Sequence, residues 1–137
     1  MVSIADFFGS SKRRAALQLL HRTLISYEVN PAYIDDGMRF AIFRWAQEAA
    51  AGTMSEHGVT DALMREAAAM ISFCVIGPAE TEALWGAAVR SEREARFDAV
   101  LASGDEETFD AKLIKLVLAK DIAAPDILAR VGLEEDE

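Results

Sequence analysis

The chain has 137 residues, of which 52% are hydrophobic and 27% charged, and its formal net charge is −9. That length fits one domain able to bury roughly two-thirds of its unfolded surface, and the acidic balance repels phosphate backbones, which argues against a general nucleic-acid binder. A mean hydropathy of +0.12 is high for so charged a chain and leaves apolar surface over for a partner.

Three prolines and eight glycines punctuate the sequence. Pro31, Pro78 and Pro125 each stand just inside the start of an apolar helical pattern, where a missing amide hydrogen costs nothing. The interior glycines mostly fall where such patterns stop, since glycine accepts the left-handed conformation that ends a helix. The fold class that follows is all-α: a single domain over residues 1–137, built as a bundle or an orthogonal array of about five or six helices joined by short loops.

In chain order, residues 1–10 form a short helical turn or a flexible tail carrying Phe7 and Phe8. A surface helix follows over about Ser11 to Glu28, with Leu17, Leu20, Leu24 and Tyr27 on its buried stripe and Arg14, Gln18, Arg22 and Ser26 spaced by four on another. Asn30-Pro31 opens the next segment, Asp35 or Asp36 caps its main part, and a helix runs to Gly52 with Met38, Ala41, Ile42, Trp45, Ala46 and Ala49 in one broad arc that Phe43 widens. Thr53 with Glu56 has capping-box spacing within a loop that holds His57. Thr60 or Asp61 then starts a helix to Ile76 that is apolar nearly all round and is the expected centre of the core.

Gly77-Pro78 breaks the chain, and Ala79 to Ala102 reads as helical although Arg90–Arg96 shows no apolar face. Either Ser91 with Glu94 caps a second helix, or the pairs Glu92–Arg96 and Arg90–Glu94 decorate one continuous rod, the reading preferred here. Ser103 with Glu106 repeats the capping spacing ahead of a helix over Thr108–Ala119 that turns Phe109, Leu113, Leu116 and Val117 to one side. A last short helix runs from Pro125 to Val131, and residues 133–137 end in the solvated acidic run Glu134-Glu135-Asp136-Glu137.

The sequence carries no catalytic set, no cofactor motif and no metal signature. Its single cysteine, Cys74, lies among Ile71, Phe73 and Val75, so it reads as buried and inert, excludes an intrachain disulfide and points to a reducing, cytoplasmic setting. His21 and His57 fall on a helix flank and in a loop, with no Glu-x-x-His step, so no His-based metal site is expected. The apolar stretch Ala67–Gly77 is about half of the roughly 20 residues that cross a bilayer, and no membrane partner is expected. Lys12-Arg13-Arg14 resembles a twin-arginine export signal, but His21 and Arg22 interrupt the apolar region such a signal needs. Lys120–Leu133 has the shape of the first helix and turn of a helix-turn-helix, yet acidic residues stand where a basic recognition helix belongs, so it reads as a packed terminal hairpin and no nucleic acid is expected.

Arg39 is the charge that looks misplaced, because it lies on the flank of the apolar arc of its helix. An inward arginine with Trp45 or Trp85 nearby would make an anion site of Arg39, Trp45 and Trp85, since the guanidinium offers a fixed fork of donors. The simpler reading pairs it with Asp35, one turn earlier. Charge is also uneven along the chain: residues 1–25 hold four basic and one acidic side chain, and residues 92–137 hold thirteen acidic and six basic. The expectation that follows is a non-catalytic protein acting by protein–protein interaction, as an adaptor or regulator, self-associating as a homodimer. The alternative is a bundle that binds a small anionic ligand in an interhelical pocket near Arg39.

Overall fold

The computed structural model describes the backbone of residues 4–132 and the side chains of residues 12–132. Among the described residues the structure is all-helical, with no strand. Its seven α-helices are α1 (Ile4–Ser26), α2 (Asp36–Ala50), α3 (Glu56–Ile76), α4 (Pro78–Trp85), α5 (Ala87–Ser103), α6 (Phe109–Ala119) and α7 (Pro125–Arg130), with a 3₁₀ turn over Pro31–Tyr33. All three prolines occupy the first turn of a helix or of the 3₁₀ segment, as the punctuation requires. The helical backbone of α1 reaches back to Ile4 rather than starting at Ser11, and the acidic run Glu134–Glu137 lies outside the described residues.

Helix α3 is the axis of the molecule, buried at Thr60, at Met64 and continuously from Ala67 to Cys74. Such a run leaves no solvated face, so α1, α2, α5 and α6 all pack against it. One hydrophobic cluster joins Leu20 and Leu24 of α1, Met38 and Ile42 of α2, Phe73 of α3, Phe97 of α5, Leu113 of α6 and Ile127 of α7. Each such side chain, fully buried, contributes on the order of 2 kcal/mol. Phe73 and Phe97 lie with ring centroids 5.9 Å apart at its centre. The Ser72 hydroxyl donates to the Tyr27 carbonyl over 2.7 Å, and the Ala124 amide donates to the Cys74 carbonyl over 2.8 Å, so α3 also holds the end of α1 and the turn before α7.

Two further boundaries and two capping pairs differ from expectation. Helix α3 begins at Glu56, four residues before Thr60, and this places His57 in its first turn instead of a loop. The capping spacing at Thr53 and Glu56 is used differently: Thr53 Oγ1 donates to the Ala50 carbonyl, while the Glu56 carboxylate accepts from the Gly52 amide. Residues 78–102 are neither one rod nor a kink at Ser91, because the break falls at Gly86 (φ 97°), in a conformation closed to side-chain-bearing residues. Helix α6 is capped by Thr108, whose Oγ1 accepts from the Ala111 amide, so the Ser103–Glu106 spacing caps nothing.

Candidate functional site

Along α1, Arg14, Leu17, Gln18 and His21 recur at intervals of three and four, and along α2 Asp36, Arg39 and Phe40 do the same, so each set lines one side of its helix. The two sides face each other across an open groove of about 440 Å³, to which Arg13 also contributes. The floor is mixed: Leu17 and the half-exposed Phe40 are its apolar part, and the Arg13 guanidinium stacks 5.5 Å from the Phe40 ring centroid. The walls are basic, with Arg13, Arg14, Arg39 and His21 against the single carboxylate of Asp36.

Arg39 is built into this groove by backbone chemistry. Its Nε donates to the Ile34 carbonyl over 2.8 Å, and a terminal nitrogen donates to the Pro31 carbonyl over 3.0 Å. The other terminal nitrogen lies 2.8 Å from His21 Nδ1. An arginine can only donate, so His21 Nδ1 accepts and the imidazole carries its proton on Nε2. The groove therefore presents donors from both helices, a surface suited to carboxylates or phosphates.

The simpler pairing of Arg39 with Asp35 does not form. Asp35 turns the other way: one carboxylate oxygen accepts from the Met38 amide over 2.9 Å, capping α2, and the other meets Lys120 Nζ at 3.2 Å. These bonds, the amide of Met38 before Lys120, hold its carboxyl below the ordinary value of 3.8. Nor does the fold gather Arg39, Trp45 and Trp85. Trp45, on the α6 side of α2, lies 6.0 Å from Lys112 Nζ, and Trp85, at the end of α4, packs edge-on against Tyr27 with centroids 5.6 Å apart.

Trp85 has a different cation. The Arg93 guanidinium lies 4.6 Å from the Tyr27 ring centroid and 5.1 Å from that of Trp85, with only 5% of the residue exposed. One terminal nitrogen has no hydrogen-bond partner, and burial pulls this guanidinium below its ordinary range. Read within 90–96 alone, the stretch lacks an apolar face. Taken one turn further on each side, Val89, Arg93, Phe97 and Val100 form one, with the arginine stem counting as apolar.

The remaining cations of α5 to α7 are committed to local acids. Arg90 pairs with Glu94 at 3.0 Å, as the i,i+4 spacing predicts, and also with Glu82. Arg96 binds both carboxylate oxygens of Asp110 rather than Glu92. Arg130 joins Glu94 and Asp98. Burial raises the Glu94 carboxyl, but hydrogen bonds from Arg130 and Arg90 overcome it and leave it below its ordinary range. Cys74 is fully buried, and loss of solvation first, then the nearby Asp110 charge, push its thiol up to about 12, which leaves no thiolate for nucleophilic chemistry near neutral pH.

Among the described residues no helix is long and apolar enough to cross a membrane, and no group of three or more His, Cys, Asp or Glu side chains is placed to hold a metal ion. Comparison with protein-family models, with curated proteins and with solved structures finds no match to this chain.

Proposed function

We propose that this chain is a single-domain, non-catalytic helical protein of the cytoplasm that works by protein–protein interaction, in an adaptor or regulatory role, and that the α1–α2 groove is the face that takes an acidic segment of its partner. The observation that carries this reading is the concentration of Arg13, Arg14, Arg39 and His21 around Leu17 and Phe40 in a chain of net charge −9. A basic wall alone would attract any anion, but an apolar floor beside it suits a peptide that offers both carboxylates and an aliphatic side chain. The groove is open to solvent and not enclosed, which suits a segment of a partner better than a buried small molecule. The buried, high-pKa thiol of Cys74 supports the non-catalytic part of the reading.

A second reading, a small carboxylate or phosphate ligand in the same groove, draws on Arg39, whose guanidinium is held in a fixed orientation beside the Nε2 proton of His21.

Titration of a fluorescent oligoglutamate peptide with a terminal leucine, followed by anisotropy, separates the two. The expected result is binding that weakens with added salt and falls at least tenfold in R13E/R14E. Arg39→Met leaves the Pro31 and Ile34 carbonyls and His21 Nδ1 without their donor, and is expected both to weaken peptide binding and to cost about 1–3 kcal/mol of stability in urea unfolding. Thermal stabilisation by citrate or inorganic phosphate with no peptide binding would replace the first reading by the second. A wild-type protein that responds to none of the three probes would remove both, and equal stabilisation of wild type and Arg39→Met by citrate or phosphate would remove the second.

A further inference from the structure

We propose that the segment received by the α1–α2 groove is the acidic run Leu133-Glu134-Glu135-Asp136-Glu137 of a second copy of this chain, exchanged reciprocally in a homodimer. This rests on the reading of the groove as a docking face for acidic peptide and goes beyond it by naming the occupant.

Three features of the chain point to that occupant. The first is charge. The groove sets three arginines against one aspartate, whereas the arginines and lysines at Arg90, Arg96, Lys112, Lys115, Lys120 and Arg130 already have carboxylate partners. Arg13, Arg14 and Arg39 have no ion pair with a described residue; the same holds for Lys12, Arg22, Arg44 and Arg65, but none of those lines the groove. The run 134–137 is the longest unbroken stretch of acid in the sequence.

The second is length. From Arg14 to His21 the α1 wall rises about 11 Å at 1.5 Å per residue, and the first and last Cα atoms of an extended four-residue run lie on the order of 10 Å apart. The third is the apolar complement. Leu133 leads the run, and the floor offers Leu17 and a Phe40 that is 47% exposed in the isolated chain. In the copy that supplies the run, Val131 lines the cleft between α5 and α6 together with Val100 and Leu118, while the groove is walled by α1 and α2. Two copies that trade runs satisfy both grooves at once, which is the closed, isologous arrangement that stops at two subunits.

The test uses the full chain and two charge-reversed variants, R13E/R14E at two exposed positions of the groove and E134K/E135K/D136K/E137K for the run, each checked for helicity by circular dichroism. Size-exclusion chromatography with light scattering is expected to give about twice 15.0 kDa for the wild type at low salt. The mass should fall toward that of one copy above about 0.5 M salt, where exposed charges are screened beyond a few ångströms. Each variant alone is expected to be monomeric. Mixed in equal amounts they are expected to regain the dimer, because the acid groove then meets the lysine run and the native groove meets the native run.

A wild-type monomer at high micromolar concentration overturns the inference, as does a dimer that survives in both variants or a mixture that stays monomeric. If the wild type is monomeric yet binds the leucine-led oligoglutamate through Arg13 and Arg14, the docking face stands and only its occupant is wrong. If it neither dimerises nor binds the peptide, both fall.

Discussion

At the scale of single residues, the charges behave according to where they lie between helices more than by their neighbours in sequence. Arg93 shows the cost. A guanidinium wedged between Tyr27 and Trp85 gains cation–π attraction of roughly 1–2 kcal/mol, but it surrenders its water, and one nitrogen finds no acceptor in exchange. The stem and the two rings are therefore expected to contribute more than the charge. Arg93→Met keeps the stem and removes the stranded donor, and its stability should lie within about 1 kcal/mol of wild type or above it. Arg93→Ala, which leaves a void between the rings, should lose about 2–4 kcal/mol. Urea unfolding of both variants measures the difference, and equal losses would mean that the charge itself holds α4 to α5.

At the scale of elements, helix ends set where each helix starts and stops. Gly77 and Gly86 bound α4 with nearly the same backbone, φ 89° and ψ 167° at one end and φ 97° and ψ 168° at the other. At Gly77 the positive φ favours glycine, and an added Cβ would also sit tightly, 3.3 Å from the Ala124 side chain. Asp35 does the corresponding work for α2, capping it and tethering the end of α6 through Lys120. Its carboxyl titrates below 3.8 in the folded chain, so the unfolded chain takes up the proton first as pH falls. The stabilisation is therefore fully present only well above the ordinary value of 3.8, from about pH 5, and is lost as pH drops through the folded value. Asp35→Asn retains a capping oxygen but not the charge, so the gap in denaturant midpoint between wild type and variant should be open at pH 6 and should narrow as pH falls through the folded carboxyl's range. A gap of constant width would show that the Lys120 contact contributes nothing.

At the scale of the whole molecule, a single hydrophobic cluster around α3 ties α1, α2, α5, α6 and α7 together, and Cys74 sits inside it at 1% exposure. A probe so placed reports the opening of the entire core and not a local fluctuation. Labelling of Cys74 by a thiol reagent at pH 7 is expected to be negligible in the folded protein. Its rate should climb with urea in step with the loss of helical circular dichroism. Labelling well below that transition would mean that the α3–α6 packing opens independently of the rest.

The residues of the sequence determine the helical class, the proline-led starts, a cap at Asp35 or Asp36 and the buried apolar run in the second half of α3, because each of these depends on residue chemistry within a turn or two of the position concerned. The same locality makes Arg90–Glu94 legible and hides the rest. Arg39 could be seen as misplaced, but its partners, the carbonyls of Pro31 and Ile34 and the ring of His21, come from a loop and a second helix. Arg93 was invisible within a seven-residue window because its apolar face includes a turn on either side, and the rings that flank it belong to the turn after α1 and to the end of α4. A period of 3.6 residues tells which side chains share a face of one helix; the rotation of that helix against its neighbours is set by how the side chains of several elements interlock. Only that interlocking turned Trp45 toward Lys112 and Trp85 toward Arg93, left Arg39 between α1 and α2, and so gathered the basic groove in an acidic chain.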